Sequence, residues 1–277
     1  MVKQRRDRSS IVKGSGDRPS PDLWSGALLL PALALFCFLV IPLVALLWRA
    51  LPGLAVSPLV ADALQLSLST TFVTTVISVL VGTPTAYLLA RYRFPGRVLL
   101  YTLVDLPMVL PPAVAGLALL MAFGRRGLLG GALEAMGIAL PFSTAAVVVA
   151  QTFVAAPFFI RGARVGFAAV DRRLEQMAAT LGLGRWGTFW RVTVPLAGRS
   201  LVSGAIMTWA RALGEFGATI MFAGNFQGRT QTMPLAIYIG LQDDLDGALA
   251  LAAILLVVSF SMLAIVRLLT GRGVADA

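Results

Sequence analysis

The chain has 277 residues, 58% of them hydrophobic and 13% charged, with a formal net charge of +10 and a mean hydropathy of +0.84. A water-soluble domain carries roughly a quarter charged residues and could not hide this much apolar surface, so lipid is the solvent to reason in. Histidine is absent and Cys37 is the single cysteine, which excludes His-based acid–base chemistry, a Cys/His nucleophile pair, zinc centres and intrachain disulfides.

In chain order, residues 1–22 read as a basic, disordered cytoplasmic tail. Apolar runs of about 20 residues, the length that crosses a bilayer as a helix, follow at Leu28–Leu47, Leu64–Leu89, Leu99–Phe123, Ala145–Ile160, Leu201–Phe222 and Ala248–Leu269. The fourth continues toward Phe167 and takes Arg161 and Arg164 to the interface, where long basic side chains snorkel. The fold class is therefore an all-α integral membrane protein of about six transmembrane helices; a barrel would need short alternating segments instead. Residues 23–60 form the first transmembrane helix and an external connection, residues 61–270 a core with the other spans, and residues 271–277 a C-terminal tail. A basic segment ahead of an apolar run also suits a signal peptide. Here the run is too long and ends in Trp48-Arg49 without a small-residue cleavage site, which marks a retained anchor.

Orientation follows from the basic residues. Lys3, Arg5, Arg6, Arg8, Lys13 and Arg18 precede the first run; Arg91, Arg93 and Arg97 lie between the second and third; a dense set from Arg161 to Arg199 lies between the fourth and fifth. Arg49, Arg125, Arg126 and Arg229 fall on the other side. Both termini are expected in the cytoplasm of an inner-membrane protein. The positive-inside distribution accounts for the net charge, and no soluble domain remains for nucleic acid.

Within the second run, Leu66 to Arg91 is rich in Ser and Thr, which let transmembrane backbones approach closely or line a path. In the third, Pro111 and Pro112 break the backbone ladder, and broken backbone at membrane depth is tolerated where protein covers it or a cavity adjoins it. The fifth run holds Arg211 and Glu215, four positions apart and able to pair on one helix face; they form either a structural clamp or part of a pathway or gate. Arg125 and Arg126, outside against the charge rule, either draw an anion to the entrance or anchor phosphate headgroups.

The connection from Asp171 to Pro195 is the most specific segment. Leu174 to Leu181 reads as a short helix stopped by Gly182, with Leu174, Met177, Ala178 and Leu181 on one face. A second amphipathic turn, Trp186 to Val192, follows, and Pro195 restarts the chain toward the next span. This segment resembles the cytoplasmic "EAA" loop of ABC-importer permeases: Glu-Ala-Ala, three residues, Gly, nine residues, then Ile-x-Leu-Pro. Gly182 falls in register with Val192, Val194 and Pro195, and Ala178 sits at the second alanine. Gln176 occupies the glutamate position, with Glu175 one place earlier, and Met177 the first alanine.

The resemblance implies a type I ABC-importer permease fold and a coupling loop, residues 171–195, that docks on a separate ATPase subunit through Glu175, Gln176, Ala178, Gly182, Arg185 and Pro195. This chain has no G-x-x-x-x-G-K-[ST] loop, so it does not itself bind and hydrolyse ATP by the P-loop route; the resemblance implies no cofactor on this chain and a partner ATPase that uses ATP and Mg. The implied assembly is a homodimer with two ATPase subunits and an external oxyanion-binding protein. Gly124-Arg-Arg-Gly-Leu-Leu-Gly130, and Arg211 to Asn225 running on through Gly228 to Tyr238, are similar to the molybdate branch of the family, with tungstate as a related cargo. Sulfate and thiosulfate permeases share the Arg-Ala-x-Gly-Glu core and are the alternative. An ion-coupled carrier is the rival from another class, but nothing in it requires the loop spacing, and no inverted repeat is evident. A membrane enzyme would need paired intramembrane carboxylates or His that this chain lacks.

Overall fold

The structure, a computed structural model, describes residues 23–51 and 58–270. The tails at 1–22 and 271–277 and the stretch 52–57 lie outside the described residues. Among those described, the regular elements are all helical.

Helix α1, Leu23–Ala50, contains Pro31 and Pro42, and from Leu29 to Val44 its side chains are almost all exposed. A helix apolar on every side is built for lipid or for another apolar surface. The remaining helices form a second unit.

In that unit α2, Pro58–Arg91, lies along α6, Thr144–Ala169, and both touch α9, Val194–Leu213. Close approach comes from small residues. A Cβ on Gly82 of α2 would stand 2.7 Å from the Phe159 ring of α6, and one on Gly162 would stand 3.1 Å from Gly204 Cα of α9. The Ser and Thr of α2 point inward: Ser67, Thr70, Thr71, Thr74 and Ser78 are all buried. Most return their hydroxyls to their own helix, as Thr71 does to Ser67 O at 2.7 Å, while Thr74 donates to Gln151 Oε1 of α6 at 3.1 Å. A hydroxyl satisfied this way can be buried in an apolar bundle without the cost of an orphaned polar group.

The third expected run is two helices, α3 (Arg97–Val109) and α4 (Pro112–Phe123), bent by 119°. Leu110 is extended, with ψ 135°, because it precedes Pro111; Pro111 is extended before Pro112, which opens α4 at its first position. After a short α5, Gly130–Ala135, the chain enters α6, capped by Ser143 and continuous past Arg161 and Arg164. The fifth run is also interrupted: α9 ends at Leu213, and α10, Gly217–Ala223, begins after Gly214, Glu215 and Phe216. Helices α11, Met233–Asp243, and α12, Leu245–Thr270, close the unit.

Among the described residues, four helices, α1, α2, α6 and α12, are long and apolar enough to cross a membrane, and the bent α3–α4 pair makes a fifth span if counted as one. Helix α9 has 20 residues, a spanning length, but carries Arg199 and Arg211 and is less apolar.

Candidate functional site

The Asp171–Pro195 connection folds into a knob. Asp171 caps α7, Arg172–Thr180, by accepting the Arg173 N–H at 2.9 Å. Gly182 has φ +86°, and the Gly182 and Leu183 N–H groups bond back to Ala179 O and Ala178 O, each at 3.0 Å. That is the left-handed stop expected of this glycine. The expected face is split by the fold: Ala178 is buried, whereas Leu174, Met177 and Leu181 are exposed, Leu181 by 83%. Three apolar side chains of an otherwise polar knob are thus left uncovered.

Past the turn come α8, Arg185–Thr188, and a π-helical turn, Phe189–Thr193, that runs directly into α9. Pro195 therefore lies inside a continuous helical path and does not restart the chain. Its missing N–H leaves the preceding turn one bond short, and the ladder shifts so that Val194 N–H reaches Phe189 O. Trp186 stacks on Phe189, which meets Tyr87 of α2 edge-on at 4.9 Å between centroids.

Glu175 ties this knob to two spans. Its Oε1 accepts from Arg91 Nη2, at the end of α2, and from the Thr193 hydroxyl, at the start of α9, each at 2.8 Å. Arg91 also donates to Val170 O at 3.0 Å, and Arg172 donates to Arg91 O at 3.0 Å. Gln176 is exposed beside this lattice, in a shallow groove with Arg185. Sequence spacing does not reveal Arg91 and Thr193 as partners of Glu175; the available signal was a basic residue closing a span next to an acidic loop.

The two interrupted runs meet. A Cβ on Gly217, the first residue of α10, would lie 2.5 Å from Pro112 Cβ, the first residue of α4. One turn on, Gly116 faces Ala218 and Met221 as closely. Glu215, 1% exposed, sits in the break, with Oε2 at 2.6 Å from Arg211 Nη2 and Oε1 accepting the Ala218 N–H at 2.8 Å. A carboxylate at that point answers both the arginine and the unpaired N–H groups of a helix start.

On the opposite end, Arg125 and Arg126 are exposed on a loop folded by its glycines: Gly124 and Gly130 leave no room for a Cβ against neighbouring carbonyls. Leu128 and Leu129 N–H bond back to Met121 O and Ala122 O at 3.0 and 2.9 Å. The Asn225–Thr232 segment is internally bonded around Phe226 O, and Met233 N–H reaches Ser67 Oγ at 2.8 Å. Arg164, expected at the interface, donates to Tyr101 OH at 3.0 Å and lies over that ring. Among the described residues no cluster of three or more His, Cys, Asp or Glu stands together as a metal site.

Residues 78–272 match the family described as binding-protein-dependent transport system inner membrane component. The chain is 47% identical to the molybdenum transport system permease protein ModB of Mycobacterium tuberculosis, over 83% of this chain and 89% of that protein. It is 36% identical to the sulfate transport system permease protein CysT of Escherichia coli, over 88% and 87%. A crystal structure of a bacterial ABC transporter that imports the polysaccharide alginate superposes with a TM-score of 0.72 and 17% identity, covering 91% of this chain and 96% of that one; at that identity the likeness concerns the fold.

Proposed function

The chain belongs to the family of binding-protein-dependent transport system inner membrane components, a multi-pass permease and not an enzyme, and we propose that its cargo is a tetrahedral oxyanion, molybdate or tungstate. The observation that carries this reading is the margin of identity: 47% to a molybdenum permease against 36% to a sulfate permease, at similar coverage. Sulfate or thiosulfate is the second reading, favoured by the shared Arg211–Glu215 core. In the proposed assembly both termini are cytoplasmic and two copies surround a central path. Each copy rests its knob on a cytoplasmic ATPase that uses ATP and Mg, and an external binding protein delivers the anion.

The mechanism follows from what Glu175 holds. A push on α7 from the ATPase passes through one carboxylate to the end of α2 and the start of α9 together, so the two spans move as a pair. The exposed Leu174, Met177 and Leu181 face is the docking surface, and the Gly182 turn sets its angle. Pro111 and Pro112, packed on α10, mark the broken backbone beside the path; Arg211 and Glu215 clamp it. Arg125 and Arg126, exposed outside, raise the local anion concentration at the entrance. Tetrahedral dianions of equal charge are poorly separated by electrostatics alone, so selectivity resides in the delivering protein.

The test is uptake of labelled molybdate by the whole assembly in the presence of unlabelled sulfate. Molybdate import that resists excess sulfate supports the reading; strong inhibition at equal concentration moves the cargo to sulfate.

A further inference from the structure

Between α6 and α9 lies a groove of about 570 Å³ whose lining includes Arg161, Gly162, Arg199, Ser200, Ser203 and Met108. Glycine makes it: Gly162 faces Gly204, and Gly166 faces Ser200, so the two backbones cross closely and the longer side chains on either side form its walls. Two guanidinium groups and two hydroxyls thus share one concavity in an otherwise apolar pair of helices. Arg161 and Arg199 are exposed, as is Ser203.

Arg161 turns toward α3, with Nε at 3.7 Å from Asp105 Oδ1 and Nη1 at 3.8 Å from Met108 Sδ. The first is a loose ion pair, half open to solvent on the arginine side. Met108 stands in the last turn of α3, immediately before the Leu110–Pro111 break, whereas Arg199 stands near the start of α9, one turn and a half beyond the knob. The groove therefore runs from the last turn of α3, next to the break, to the first turns of α9, next to the knob.

We propose that this groove is an anion-binding station on the inner half of the translocation path, where Arg161 and Arg199 hold a tetrahedral dianion and the Ser200 and Ser203 hydroxyls donate to its oxygens. The assignment rests on the oxyanion cargo and the orientation proposed above. Guanidinium is the cation suited to such a site, being planar, permanently charged, and able to give two parallel N–H bonds to one oxyanion. Asp105 supplies a counter-charge between passages, and a dianion brings twice its charge to the same arginine. A station on a path must also release its ion, and a shallow, half-open groove of two cations provides weak binding. A lipid phosphate presents similar oxygens, so the experiment separates the two sources.

In proteoliposomes holding the complete importer, the Arg161→Gln/Arg199→Gln double variant is expected to import labelled molybdate on the order of tenfold more slowly, while Arg161→Lys/Arg199→Lys, which keeps both charges but not the paired N–H donors, recovers only part of that loss, and both co-purify with the ATPase. In parallel, Ser203→Cys in a Cys37→Ser background is labelled in nanodiscs with an anionic sulfonate thiol reagent and with a cationic ammonium one. In discs of neutral lipid the anionic reagent should react faster, molybdate or sulfate should slow it, and the preference should vanish with both arginines replaced. Import at the original rate in the Gln double variant, or a reagent preference independent of the arginines, overturns the proposal. Labelling that is slow only in discs with anionic lipid, and insensitive to molybdate and sulfate, gives the groove to a lipid headgroup and equally overturns it. If the unmodified importer carries neither molybdate nor sulfate, the cargo reading fails, and the labelling arm still decides the groove.

Discussion

Arg91 and Glu175, 84 positions apart in the chain, meet at 2.8 Å, with their side chains only 7% and 18% exposed. The pair fastens the knob to the second span at a part-buried point that water reaches only in part. Removing one partner leaves the other charge poorly compensated, at a cost below the roughly 3 kcal/mol of a fully buried pair. Arg91→Ala is expected to leave the chain in the membrane and the ATPase bound, but to lower transport per ATP hydrolysed at least severalfold. Glu175→Ala should do the same, and the exchanged pair Arg91→Glu/Glu175→Arg should recover part of the loss. Uptake and ATP hydrolysis measured side by side in proteoliposomes decide it; normal coupling in both single variants would remove Glu175 from the transmission.

Gly182 gives a cleaner test of the knob, since a Cβ there would touch nothing within 4 Å and only its φ of +86° is at stake. A left-handed conformation costs an ordinary L-residue about 1–2 kcal/mol, and a β-branched one more. Gly182→Val should uncouple hydrolysis from transport, whereas Gly182→Asn, which tolerates that region, should retain most activity. Equal behaviour of the two variants would show that the turn's geometry is not what matters.

Where the two interrupted runs cross, Gly217 has the opposite problem: conformation is free and space is absent. Gly217→Ala forces α10 away from Pro112, at roughly 1–3 kcal/mol for overpacking. A lower yield of monodisperse protein after detergent extraction is expected. Gly131→Ala, where a Cβ would meet nothing within 4 Å, is the control and should extract normally.

Glu215 separates clamp from gate. If it clamps, Glu215→Ala should reduce the amount of folded permease several-fold through the loss of a buried, paired carboxylate, with transport falling in proportion. Normal amounts of a protein that no longer transports would assign the pair to the gate instead.

Orientation is read by reporter fusions. Those after Arg97 and Arg191 should report cytoplasm, and those near Ser57, Glu134 and Asp243 the outside. A cytoplasmic signal at Asp243 would break the arrangement of spans after α9.

The sequence by itself determined the solvent, the helical class and the knob, because each depends on quantities that are local or that add along the chain. Hydropathy sums residue by residue, so the runs that became α2, α6 and α12 were visible; the stop at Gly182 is a property of one residue's backbone. The break of the third run was legible in Pro111 and Pro112, since proline interrupts a helix locally. Only the tertiary structure decided where the fifth run breaks, which side chains answer Glu175, and where Arg164 points. An average over a window passes across Glu215 without registering that a helix stops there, and the close packing of Gly217 on Pro112 joins two breaks far apart in sequence. Arg164 could have gone to lipid headgroups on any local reasoning; it goes to Tyr101 because α3 folds back beside α6. Likewise the groove holding Arg161 and Arg199 exists because glycines on two different helices face each other, and a sequence does not state which of its faces will meet.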